Sequence, residues 1–346
     1  MDATIKHYLE SLQMGKAQEF GEMTVIPVLD ESENGLEYFT LKEAMELDLL
    51  KITEIDDSGS VPELKVINEA EIPVLILDGE ELVGAKQNRV VNASILLKEK
   101  SETIIPVSCV EEGRWSYRSE RFQDSDAIVS SRVRNVKSDS VRRSVERNGS
   151  YRSDQGAVWD EVHQLHDRMD VQSPTGAMRD AYEAKERDLN DYIKAFKIME
   201  DQKGLLVFIN GQIMGFDVVS CKSAYRDLHK KLIKSYALDV LVQKEDKKVK
   251  SAKIQKGAHK HEMFGAPKSK ISSAEKFIED IMECNESKHA SVGYGRDYRF
   301  ATDSYVGSAL LFKDQVIHVS FFKSLEVEDE DAGGMARFSR RASLRM

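Results

Sequence analysis

Between Glu80 and Trp115 the chain gathers groups that can both bind and titrate. An acidic turn, Asp78-Gly79-Glu80-Glu81, leads into Gly84-Ala85-Lys86-Gln87-Asn88-Arg89, and a later strand ends in Cys109-Val110-Glu111-Glu112-Gly113-Arg114-Trp115. Gln87 and Asn88 offer paired donors and acceptors, Lys86 adds a cation, and Arg89 is a planar fork suited to carboxylate or phosphate. Arg114 with Trp115 combines a guanidinium and a flat stacking face, as adenine and ribose recognition often does. Glu81 and Glu111 are the acid/base candidates if there is catalysis. Each group also has a plainer reading. Gln87, Asn88 and Arg89 can cap strand edges and pair with Glu80 or Glu81, while Arg114 can form a buried ion pair with Glu111 beneath a packed Trp115. Spacing alone leaves both readings open.

Asp154 and Gln155, in Ser153-Asp154-Gln155-Gly156, stand where a helix begins. They serve either as a cap or as part of an anion site built on free backbone N–H groups. His163 and His166, flanked by Asp160 and Asp167, could share a helix face, but no HExxH pattern accompanies them and no metal is assigned. Cys109 sits among apolar residues with no histidine nearby in sequence, the context of a structural thiol. Walker A, Rossmann GxGxxG and GxSxG patterns are absent, so no cofactor is assigned.

The elements that must position these residues follow from periodicity. Residues 4–13 read as a helix and 23–29 as a strand. Thr40 N-caps a short helix, and alternation marks strands at 49–55 and 64–68. Apolar runs at 72–77, 90–97 and 103–110 complete a meander. From about Ser125 the pattern turns helical, with further helices over 154–167 and 177–199. Asn210-Gly211 then joins two apolar runs, a strong hairpin signal. A helix over 224–236, another over 274–284, and strands at 290–295, 305–312 and 316–322 follow. The expected fold is α+β in one domain over 1–325. It comprises a β-rich N-terminal lobe (about 1–122), a helical middle (about 123–200) and an α+β C-terminal portion with hairpins (about 201–325). Residues 244–270 are expected to form a flexible lysine-rich surface insertion, and 326–346 a disordered charged tail in which Ser343 sits in a basic motif.

Composition narrows the function classes. The chain has 346 residues, 41% of them hydrophobic and 32% charged, with a net charge of −10. That balance fits a globular protein and argues against general nucleic-acid binding, which needs a positive footprint. No apolar run reaches the length of a membrane span, and three scattered cysteines suggest reduced thiols, so a cytoplasmic location is expected. Nine arginines between 114 and 152 leave room for a local anion site.

Several motifs in order resemble one family. They are 77–82, Gly84 to Arg89, Ile105 to Glu111 with Gly113-Arg114-Trp115, Ser153 to Gly156 with Trp159, Ser173-Pro174-Thr175, Asn210-Gly211 and Ser235-Tyr236-Ala237-Leu238-Asp239. Together they are similar to the ARG-and-rhodanese-phosphatase-superfamily-associated protein domain. The resemblance implies association with ADP-ribosylglycohydrolases and rhodanese-like phosphatases, and hence a nucleotide-type ligand such as ADP-ribose or another NAD-derived phosphate compound. In that reading Arg89 and Arg114 hold phosphate, Gln87 and Asn88 bond ribose or base edges, and Trp115 stacks. The rival is a non-catalytic interaction protein, with Arg132, Arg134, Arg142 and Arg143 docking an acidic protein partner.

Overall fold

The computed structural model describes residues 1–32, 36–254 and 270–324. Its largest sheet is antiparallel and nine-stranded, ordered Gln13–Met14, Met23–Leu29, Gln202–Ile209, Gln212–Val219, Gln315–Lys323, Tyr305–Phe312, Arg296–Ala301 and Asn285–Ala290, with Gln18–Phe20 also on Met23–Leu29. The near-continuous apolar runs here reflect burial of both faces. In Gln202–Ile209, Leu205, Val207 and Ile209 pack against the long helix Lys222–Ile254 through Leu232 and Tyr236. Leu206 and Phe208 face Ile5 and Leu9 of the helix Ala3–Ser11 and Phe277 and Ile281 of the helix Lys270–Met282. Asn210-Gly211 forms the expected tight hairpin, both residues at positive φ.

The second part is a six-stranded antiparallel sheet ordered Phe122–Ile128, Glu80–Gly84, Arg89–Val91, Ser101–Cys109, Glu63–Asn68 and Leu50–Thr53. A small sheet of Ile95–Leu97, Val74–Ile76 and Phe39–Thr40 accompanies it. One apolar core that includes Ile52, Val66, Ile76, Leu82, Val91 and Ile105 fills the space between them. Thr40 caps the helix Leu41–Glu46 in a full capping box with Glu43. Asp78-Gly79 is the corner where the chain leaves the small sheet for the six-stranded one.

The α+β class holds, and several elements depart from the expected layout. Met23–Leu29 pairs with Gln202–Ile209, so the N-terminal strands build the same sheet as the C-terminal ones. Residues 122–128 are a strand, not a helix start; their polar centre, Asp124-Ser125-Asp126, is a bulge with Asp126 at φ 57. The helix expected over 177–199 is two helices, Met178–Ala184 and Glu186–Ala195, meeting at Lys185 with no Gly or Pro to mark the break. The strand expected at 290–295 lies instead at Asn285–Ala290, a polar sheet edge with no apolar period to betray it. The expected insertion begins as helix, because Lys222–Ile254 runs on through its good helix formers; the rest of it, 255–269, and the tail with Ser343 lie outside the described residues.

Candidate functional site

The two polar clusters of the sequence meet in space. Backbone bonds stitch the 84–89 turn to 110–118: Val110 N–H donates to Asn88 (3.1 Å), Ser116 N–H to Lys86 (3.2 Å) and Arg118 N–H to Ala85 (2.9 Å). Within this frame Arg114 donates through Nε and Nη2 to Glu111 (2.9 and 2.6 Å), and its remaining N–H groups reach Ala85, Ser116, Gly84 and Asn88. Every donor of that guanidinium is engaged. Glu111 also accepts from the Asn88 N–H (3.1 Å) and the Thr175 hydroxyl (2.9 Å). Burial pushes its carboxyl up, but Arg114, the Asn88 amide and Thr175 outweigh that and hold it below the usual carboxylate range. Gln87 donates to the Glu111 carbonyl and accepts from Arg89 (2.8 Å). Asn88 accepts from Gly84 N–H (3.3 Å). Gln155 pairs with both backbone groups of Cys109 (2.8 Å each), and Asp154 N-caps its helix by accepting from Ala157 N–H (3.1 Å).

Arg89 is fully buried, lies 3.9 Å from Glu54, and has no hydrogen-bond partner for Nε or Nη2 among the described residues. Trp115 is half exposed and covers Arg89 at 5.4 Å and the Lys86 ammonium at 5.5 Å. Lys86 in turn donates to the carbonyls of Asp57 (2.5 Å) and Ser58 (2.7 Å). Trp115 and Arg89 thus already stack on one another.

Glu81 stands apart from this network. Leu82 pairs with Asp124 and Glu80 with Ile128, so Glu81 faces three bulged residues, 125–127. The bulge lifts the edge strand off Glu81 and opens a cleft of about 390 Å³ lined by Glu81, Ser125, Arg179, Tyr182, Asn190 and Lys234 among others. Asp126, at the crest, is held by Lys42 (3.1 Å) and Lys234 (3.0 Å). Glu81 is 1% exposed, and neither carboxyl oxygen has a hydrogen-bond partner of good geometry among the described residues. Burial pushes its pKa up to about 7; the Ser125 hydroxyl and the Arg179 guanidinium oppose the shift, and the Glu111 and Asp124 charges add to it. A carboxyl half-ionised near neutrality, in the wall of a cleft that also carries Lys234, Glu186 and an Arg179 paired with Glu183 (2.6 Å), can accept or donate a proton.

Glu54, Ser125, Arg179, Tyr182, Asn190 and Lys234 were not singled out by sequence. The Asp124-Ser125-Asp126 run inside a strand was the available signal, a polar interruption typical of a bulge. Ser235, in the Ser235-Tyr236-Ala237-Leu238-Asp239 motif, donates to the Val129 carbonyl (2.7 Å). His163 contacts Glu112 (2.9 Å), and no group of three metal-ligating side chains gathers among the described residues. Of the arginines expected to form a docking surface, Arg134 is instead buried, held bidentately by Asp217. Arg132 pairs with Glu161, and Arg142 and Arg143 with Asp139. No helix among the described residues is long and apolar enough to cross a membrane.

Fold and site define an α+β protein whose edge-strand bulge exposes a buried carboxyl to a mixed-charge cleft. The model of the ARG and Rhodanese-Phosphatase-superfamily-associated Protein domain matches residues 11–322, and the chain belongs to that family. No curated protein and no solved structure matches it.

Proposed function

We propose that this is an intracellular protein that binds and processes a small phosphate-bearing, nucleotide-type metabolite in the cleft over Glu81. Glu81 acts as the general acid/base, and Arg179 and Lys234 face the ligand's anionic groups. The observation that carries this reading is the Glu81 carboxyl itself: buried, without a hydrogen-bond partner of good geometry among the described residues, raised to about 7, and lining a cleft. Structural carboxylates of similar burial here, such as Glu111, are saturated with donors. The cleft volume suits a sugar phosphate or part of a nucleotide. The family's name, which associates it with ARG and the rhodanese-phosphatase superfamily, supports a phosphate-bearing ligand, and we take ADP-ribose or its phosphorylated derivative as the first to test.

In this reading Arg114, Gln87, Asn88 and Glu111 hold the 84–89 turn rigid, and Arg89 and Trp115, on the Glu54 side of that turn, take no part in the cleft. The test is a thermal-shift and calorimetric titration with ADP-ribose. Binding is expected in the native chain, to weaken in Arg179→Ala, and to persist with loss of turnover in Glu81→Gln. Absence of binding by any phosphate-bearing nucleotide-type compound overturns the proposal.

A further inference from the structure

A second cavity, of about 460 Å³, opens on the other side of the turn, lined by Thr53, Glu54, Asp56, Asp57, Tyr117 and Glu120 among others. Its lining carries four carboxylates and no cation. Asp56 is engaged by its own loop, accepting from Ser58 N–H (2.9 Å), the Ser58 hydroxyl (2.7 Å) and Gly59 N–H (3.0 Å). Glu54 is different. Its side chain is 3% exposed, its Oε1 accepts from Lys86 N–H (3.3 Å), and its Oε2 has no partner among the described residues.

The same corner displays its chemistry with a residue of its own. The Lys86 ammonium lies 5.0 Å from the Tyr117 ring and 5.5 Å from Trp115 while donating to two loop carbonyls. That is how an alkylammonium is held by aromatic faces and oxygen acceptors. Tyr117 and Trp115 nonetheless remain 51% and 48% exposed, among the most open large hydrophobic side chains of the described residues. Two buried cations, Lys86 and Arg89, stand beside four lining carboxylates, so negative charge is in surplus there.

We infer that the Glu54/Tyr117 cavity is a binding site for a primary alkylammonium group on a small aliphatic chain, separate from the Glu81 cleft. The carboxylates supply the counter-charge, Tyr117 the aromatic wall, and the unbonded Glu54 oxygen an acceptor at the inner end. An anion is disfavoured there by the same carboxylates.

The experiment is calorimetric titration of the full chain with 1,5-diaminopentane, and with 1-pentanol as its uncharged counterpart. Saturable binding of the diamine, weakened by added salt and absent for the alcohol, is expected. Because Glu54 also packs against Arg89, the variants are placed at the rim. Tyr117→Leu and the pair Asp57→Asn with Glu120→Gln should each weaken binding at least about tenfold, while their melting temperatures stay close to that of the parent chain. No saturable binding of the diamine, or equal affinity in the rim variants, overturns the assignment. A repeat with ADP-ribose present should leave diamine affinity unchanged; competition between the two overturns the separateness of the sites. Since the diamine titration does not involve Glu81, its failure leaves the proposal for the first cleft standing.

Discussion

Glu81 has a cost to the fold that its environment explains. A carboxyl of ordinary pKa 4.5 raised to about 7 by burial is ionised in the unfolded chain and protonated in the folded one between those two values. Stability therefore falls as pH rises through that window, by about 3 kcal/mol in full. Glu81→Gln should remove this slope. Denaturant unfolding is expected to show the variant about as stable as the parent at pH 4 and more stable by a few kcal/mol at pH 8. Equal pH dependence in both would show that Glu81 is solvated or paired. Sequence does not mark Ser125, Arg179 and Lys234 of the cleft, but the polar residues of the 80–115 segment were legible in it, Glu81 among them as an acid/base candidate. Their division of labour was not, because hydrogen bonding decides it: Arg114 and Glu111 consume one another's valence, whereas Glu81 has no comparable partner.

At the scale of elements, the cleft depends on the bulge over residues 125–127. Asp126 sits at φ 57, a region that costs a non-glycine residue of order 1 kcal/mol, and its ion pairs to Lys42 and Lys234 hold it there. Lys42→Ala should loosen the bulge. Hydrogen exchange at 125–127 is expected to accelerate while the Gln202–Ile209 strand stays protected; uniform exchange would deny the bulge a local tether. Gly79 is the other demanding position, at φ 87 with an added Cβ only 2.9 Å from Arg134 Cγ. Gly79→Ala should destabilise the chain by about 1–3 kcal/mol, measurable as a lower melting temperature. Turn chemistry revealed the Asn210-Gly211 hairpin and the Thr40 cap because those signals are local. The same Asx-Gly chemistry at Asp78-Gly79 makes a corner between two sheets, and the bulge resembles a helix start, since pairing partners distant in sequence leave no local trace.

Across the whole molecule, buried charges bind the two sheet systems together. Arg134 holds Asp217 bidentately at 2.9 and 2.6 Å, Tyr236 donates to the same carboxylate at 2.7 Å, and Lys137 on the same helix pairs with Asp78 of the other system. Ser94 bridges to His318 at 2.8 Å, and His318 lies 3.5 Å from Asp217. Burial pushes the Asp217 carboxyl up, but Arg134 and His318 pull it from 3.8 down to about 2. Its stabilisation is complete above pH 3.8 and is lost as pH falls through about 2, amounting to about 2 kcal/mol. Asp217→Asn leaves a buried guanidinium short of its counter-charge and should cost about 3–5 kcal/mol in denaturant unfolding, with the acid limb flattened. The sequence conveyed the α+β class and the apolar strands of this assembly. It concealed that Met23–Leu29 and Gln202–Ile209 are neighbours and that Arg134 is internal, because the arginine's helix otherwise looks like a solvated basic face. The central claim concerns the Glu81 cleft, and calorimetric titration with ADP-ribose of the native chain beside Arg179→Ala tests it most directly. Saturable binding that weakens at least about tenfold in the variant is the expected result; no binding, or binding indifferent to Arg179, would contradict it.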